Sequence, residues 1–271
     1  MVSVNTLKMK KRNAFLGAIL SLIPVSQPIL LGSTATVFLS FSVRANAETF
    51  DFYLQRAIEK ENKGDTFGSI YDYTSAIRLD PTSIDALYRR AKAKMKINDF
   101  DGAIQDFTSI IELDPENADA YFYRAESKDK LGSFFGAVKD YSRVIDLDPL
   151  YAEAYYQRGL NKEKMRNFDG AVEDFTKVSE LNPSNADAFH SRGLIRLNQR
   201  SYYEAIADFD QAIVLNPKFQ LAFLNRMEAK ESIGDIAGAC EDAKKAKKLG
   251  YKTEEHLAWI KEQCSSGGWF N

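Results

Sequence analysis

The sequence predicts an all-α solenoid of six helical hairpins closed by one further helix. Three observations carry this. Prolines recur every 34 residues, at Pro81, Pro115, Pro149, Pro183 and Pro217. Each ends a similar phrase, from Ile-Arg-Leu-Asp-Pro81 to Ile-Val-Leu-Asn-Pro217, and a sixth copy puts Tyr251 where proline would fall. Between prolines the apolar residues step by three and four, as in Ala171, Val172, Phe175, Val178 and Leu181, which is the stripe of an amphipathic helix.

Residues 1–47 precede the array. They hold Lys8, Lys10, Lys11, Arg12 and Arg44 and no acid, with apolar runs at 14–23 and 29–43 on either side of Pro24 and Pro28. The segment closes on Ala45-Asn46-Ala47, so it reads as a secretory signal peptide cut after Ala47. A membrane anchor retained over 14–43 and a plastid-type transit sequence are the competing readings. Neither apolar run alone reaches the ~20 residues of a spanning helix. Without residues 1–47 the formal charge falls from −2 to −7. An acidic body repels a phosphate backbone, which argues against nucleic acid as a partner.

The repeats run over 50–81, 82–115, 116–149, 150–183, 184–217 and 218–251. In the fourth, 152–165 forms a first helix, 166–170 reads as the turn, and Pro183 stops the second helix. One hairpin cannot bury its apolar stripe, whereas stacked hairpins can.

Numbered so that proline is position 32, the units resemble the tetratricopeptide repeat family. Small residues stand at position 8 (Ala57, Ala91, Ala125, Gly159, Gly193) and position 20 (Ser69, then Ala103, Ala137, Ala171, Ala205, Ala239). Aromatic residues stand at position 24 (Tyr73, Phe107, Tyr141, Phe175, Phe209). The resemblance implies a right-handed superhelix whose first helices line a concave groove. The sixth copy departs at Met227, Ala243 and Tyr251, as a capping unit does.

Two positions depart from the family in every copy. Position 7 is Arg (Arg56, Arg90, Arg124, Arg158, Arg192, Arg226), and position 11 is Lys60, Lys94, Lys128, Lys162, Arg196 or Lys230. Position 23 is Asp (Asp72, Asp106, Asp140, Asp174, Asp208, Asp242). Positions 7 and 23 lie equally far from the turn, so an antiparallel hairpin sets them level. The spacing predicts an Arg–Asp pair across each hairpin, with the position-11 cation one turn away.

Residues 253–264 read as a closing helix within a 252–264 cap, capped by Thr253 and followed by a loose tail, 265–271. Cys240 and Cys264, the only cysteines, fall at matching distances from the intervening turn. In an exported protein this favours a disulfide; in a reducing compartment they would be buried thiols. With only His190 and His256 besides, no metal site is expected.

No nucleophile motif, phosphate loop or zinc-protease motif occurs, so neither an enzyme nor a cofactor is expected. An enzyme with dispersed carboxylates is the remote alternative. What the resemblance does imply is a binding groove. Position 5 would supply Tyr88, Phe122, Tyr156 and His190, and position 2 would supply Asp85, Asp119, Glu153 and Asp187. Glu61, Asp129, Glu163 and Glu231 at position 12, and Lys96, Lys130 and Lys164 at position 13, complete it. The acids also suit helix N-termini. The expected function is an exported scaffold, periplasmic, secreted or lumenal, that holds a basic or apolar protein segment or extended peptide. A membrane-tethered assembly factor is the alternative.

Overall fold

The computed structural model describes residues 49–265, and they form helices throughout, with no strand among them. The N-terminal segment read as a signal peptide or anchor lies outside the described residues, as do residues 266–271. The hairpins are α1 (Phe50–Asn62) with α2 (Thr66–Leu79), α3 (Ile84–Lys96) with α4 (Phe100–Leu113), and α5 (Ala118–Lys130) with α6 (Phe134–Leu147). They continue as α7 (Ala152–Lys164) with α8 (Phe168–Leu181), α9 (Ala186–Asn198) with α10 (Tyr202–Leu215), and α11 (Gln220–Ser232) with α12 (Ile236–Lys248). The closing helix is α13 (Glu254–Ser265), shifted one residue from the expected 253–264 because Thr253 is its cap.

The turn inside each hairpin is tighter than the sequence implied. In the fourth repeat the expected turn residues Phe168, Asp169 and Gly170 are already the first turn of α8. Asn167 is the N-cap, its side chain accepting from the Gly170 amide at 3.2 Å. Asp65, Asp99 and Asp235 cap their helices in the same way. Position 15 reverses the chain in a left-handed conformation in all six repeats. Glycine takes it at Gly64, Gly132 and Gly234, but Asn98, Arg166 and Arg200 hold φ of 61°, 61° and 63°. The first five second helices end because the residue before proline is pushed to extended backbone, as at Asp80 (φ −134°, ψ 93°), whereas α12 is followed by Gly250, whose φ is 110°.

The core repeats with the hairpins. Tyr73, Phe107, Tyr141, Phe175 and Phe209 are completely or almost completely buried, each beside the small residue at position 8. A methyl group on Gly159 would stand 2.9 Å from Phe175 Cε1, and one on Gly193 2.8 Å from Phe209 Cε1. In the sixth repeat, where position 24 is Ala243, a buried histidine from the closing helix covers it. His256 Nε2 lies 3.0 Å from the Ala243 carbonyl oxygen, and the His256 ring packs edge-on to Tyr251.

The Arg and Asp of each hairpin meet through a charged fork. In the fourth repeat Arg158 Nε and Nη2 donate to Asp174 at 3.0 and 2.7 Å. The other hairpins repeat this, with Nη2–Asp distances of 2.5 Å for Arg56–Asp72, 2.6 Å for Arg90–Asp106, 2.8 Å for Arg124–Asp140, 2.6 Å for Arg192–Asp208 and 2.5 Å for Arg226–Asp242. The position-11 cation shares the same carboxylate, as Lys162 does at 2.8 Å from Asp174.

The remaining guanidinium nitrogen does something the pairing alone does not require. It reaches back to position 25 of the preceding repeat. Arg90 Nη1 donates to Thr74 Oγ1 at 3.1 Å, Arg124 to Thr108 at 3.1 Å, Arg158 to Ser142 Oγ at 3.0 Å and Arg192 to Thr176 at 3.1 Å. Arg226 meets Asp210 there instead. The position-4 ring then lies under the guanidinium, at 5.4 Å for Tyr155 beneath Arg158 and 5.5 Å for Phe223 beneath Arg226. Every rung after the first is therefore a joint between repeats as well as a tie within one.

At the C-terminal end Cys240 and Cys264 are joined by a disulfide with Cα atoms 5.7 Å apart, linking α12 to α13. Thr253 Oγ1 accepts from the His256 amide at 3.3 Å and starts α13.

Candidate functional site

The face made by the first helices carries the residues expected to bind. Asp85, Asp119, Glu153 and Asp187 all lie exposed in the first turn of their helices. Their charge offsets the helix dipole there, yet leaves outward-facing oxygens. Asp85 is also engaged by Arg89, four residues on, at 2.8 Å, and Glu153 accepts from the Gln157 amide at 2.7 Å.

The position-5 rings do not form a uniform exposed ladder. Each packs on the position-24 ring of its own repeat: Tyr88 on Phe107 at 6.0 Å, Phe122 on Tyr141 at 5.5 Å, Tyr156 on Phe175 at 5.6 Å and His190 on Phe209 at 5.8 Å. Phe122, expected to be exposed, is only 8% exposed. The reason is Tyr151 at position 34, whose ring stacks on Phe122 at 5.3 Å and 20°. Phe219, at position 34 two repeats later, covers His190 at 4.6 Å. Elsewhere position 34 is Ser83, Asn117 or Asn185, an N-cap whose side chain bonds the helix; Tyr151 and Phe219 give up that bond for a ring contact. Tyr88 and Tyr156 remain as the half-buried rings of the face. The signal was present in the aromatic residues at position 34, but only the fold shows that they lie over position 5.

The most exposed rings among the described residues lie instead on second helices. Phe67, Phe135 and Tyr203 occupy position 18 of alternate repeats.

His190 is held by Asn225 from the next repeat, Nδ2 to Nε2 at 2.9 Å, and burial pushes its imidazole below the ordinary value while Asp187 opposes this. Charges at positions 12 and 13 pair between neighbouring repeats. Lys96 Nζ lies 3.2 Å from Glu61 Oε1, and Lys164 Nζ lies 2.5 Å from Asp129 Oδ1. Tyr73 also donates its hydroxyl to Glu61 Oε2 at 2.7 Å. Burial pulls the Glu61 carboxyl upward, but the bonds from Tyr73 and Lys96 hold it below the ordinary value. For Lys130 the equivalent residue of the repeat before it is the apolar Met95, and Lys130 stays exposed.

Among the described residues no group of three or more His, Cys, Asp and Glu is placed to hold a metal, and no helix is long and apolar enough to cross a membrane. An open depression of about 600 Å³ is lined by Tyr121, Arg124, Phe135, Val138, Asp140 and Arg143 among others. Its buried Asp140 is paired with Arg124 and Lys128, at 2.8 and 2.7 Å.

A family model described as tetratricopeptide repeat matches residues 88–152 and 156–218. Among solved structures, the MamA protein is 29% identical with a TM-score of 0.60, over 63% of this chain and 93% of its own. YrrB, described as a TPR protein with an unusual peptide-binding site, is 24% identical with a TM-score of 0.58, over 65% of this chain and 91% of its own. A tetratricopeptide repeat protein from Parabacteroides merdae is 20% identical with a TM-score of 0.61, over 79% of this chain and 98% of its own. No curated protein matches the sequence.

Proposed function

We propose, for a chain that belongs to the tetratricopeptide repeat family, a scaffold that holds an extended segment of a partner protein against its first helices. The observation that carries this is the run of outward carboxylates, Asp85, Asp119, Glu153 and Asp187, beside the half-buried rings of Tyr88 and Tyr156. Charge complementarity favours basic side chains in the segment, and the rings favour apolar ones. YrrB, a peptide-binding relative by fold, supports the class of ligand. The family's members are scaffolds as a rule, which supports a non-enzymatic role. The test is capture of partners by full-length protein against a Tyr88→Ala/Tyr156→Ala variant of unchanged helicity. Loss of capture is expected; equal capture by the variant rejects the face. Phe122→Ala is unsuitable, because Phe122 is a core residue.

Export is part of the same proposal. Its support is the basic and apolar character of residues 1–47 and the Cys240–Cys264 disulfide, a bond that persists in oxidising compartments. Mature protein beginning at Glu48 is expected. A start upstream of residue 14, in protein that fractionates with membranes, would establish the tethered alternative instead.

A further inference from the structure

Four first helices carry a carboxylate at position 12, and three of these are occupied. Lys96 takes Glu61 and Lys164 takes Asp129, each reaching from the next repeat. Trp259 of α13 donates its indole N–H to Glu231 Oε1 at 3.0 Å. The fourth, Glu163, has no hydrogen bond or ion pair among the described residues. The cause is a single substitution in the pattern. The site from which Lys96 and Lys164 reach is Asn198 in the fifth repeat. Its chain neighbour Lys164 is already committed to Asp129 at 2.5 Å.

Glu163 is nevertheless half-buried, and it lies two helical turns beyond Tyr156 on the same face of α7. A carboxylate partly withdrawn from water with no hydrogen bond or ion pair to offset it costs stability. The neighbouring repeats show how easily a lysine could have removed that cost.

We propose that Glu163 is the receptor for a cationic side chain, a lysine or arginine of the bound segment, seated beside Tyr156 where the fourth repeat meets the fifth. This rests on the groove function above and assigns its charge-reading residue. Burial raises the Glu163 carboxyl above its ordinary value, with Lys164 opposing. An incoming cation would supply what Lys96 supplies to Glu61.

The test uses full-length protein and a fluorescein-labelled peptide of alternating lysine and leucine, with a glutamate–leucine peptide as control. Asn198→Lys gives Glu163 an internal partner at an exposed position and leaves Glu163 itself untouched. It is expected to weaken lysine-peptide binding about tenfold, the effect of losing one charged hydrogen bond. Glu163→Gln should weaken it similarly, while Glu173→Gln on the exposed side of α8 should not. If Asn198→Lys and Glu163→Gln both bind like the parent while Tyr88→Ala/Tyr156→Ala binds weakly, the Glu163 assignment is overturned and the groove stands. If the tyrosine variant also binds like the parent, or the parent prefers the glutamate peptide or binds neither, the groove and the assignment fall together.

Discussion

Asp174→Ala is the most informative perturbation of the scaffold. Asp174 is 3% exposed and accepts from Arg158 at 3.0 and 2.7 Å, with Lys162 at 2.8 Å. Removing it leaves two cations facing each other in a space that excludes water. Breaking one side of a buried pair costs about 3–5 kcal/mol. The first hairpin supplies an internal comparison. Arg56 is 38% exposed at its side chain against 17% for Arg158. Solvent screening should reduce the cost of Asp72→Ala to about 1–2 kcal/mol. Urea unfolding followed by helicity, with the slope checked for lost cooperativity, measures both. Arg158→Ala/Asp174→Ala should cost less than the sum of its singles by ~1–3 kcal/mol, because the second removal takes away an already stranded charge. Additive singles, or equal costs at Asp72 and Asp174, would falsify the view of the rung as a buried, coupled joint.

Arg166→Gly and Arg200→Gly should each stabilise by about 1 kcal/mol, since both hold a left-handed conformation that glycine adopts freely; thermal unfolding reads this, and lower melting temperatures would contradict it. Thr108→Val removes the hydroxyl that bonds Arg124 and should cost about 1 kcal/mol, with amide exchange rising on both sides of the α4–α5 junction. Reducing the Cys240–Cys264 disulfide should raise amide exchange across residues 254–265 first, because a helix of 12 residues is marginal alone; uniform protection after reduction would show that packing holds it. For Asp72, burial raises the carboxyl but Arg56 and Lys60 bring it below its ordinary value of 3.8. A depressed carboxylate stabilises above that value and loses its contribution as pH falls through the lower folded one. Acid unfolding below about pH 4 should therefore ease in Asp72→Asn, which no longer titrates.

Much of the molecule was legible in the chain because a 34-residue period imposes the same physics six times. The prolines, the small residues and the Arg–Asp spacing each had one arrangement compatible with an antiparallel hairpin. Cys240 and Cys264 could be set level by counting helical rise. Features that join one repeat to the next were not legible in that way. The hydroxyls at position 25 look like ordinary helix-surface residues until Arg90, Arg124, Arg158 and Arg192 reach them from the following hairpin. Local spacing says nothing of the angle at which hairpins stack. That angle puts Tyr151 over Phe122 and Phe219 over His190, which took two expected rungs out of the groove. It also carries Lys96 to Glu61 and Lys164 to Asp129, 35 residues away, while the position equivalent to those lysines in the repeat after Glu163 is Asn198. Periodicity within the chain determined the hairpin; the packing between hairpins, a balance of ring contacts and paired charges in three dimensions, decided which groove residues are covered, which are neutralised and which remain open to a ligand.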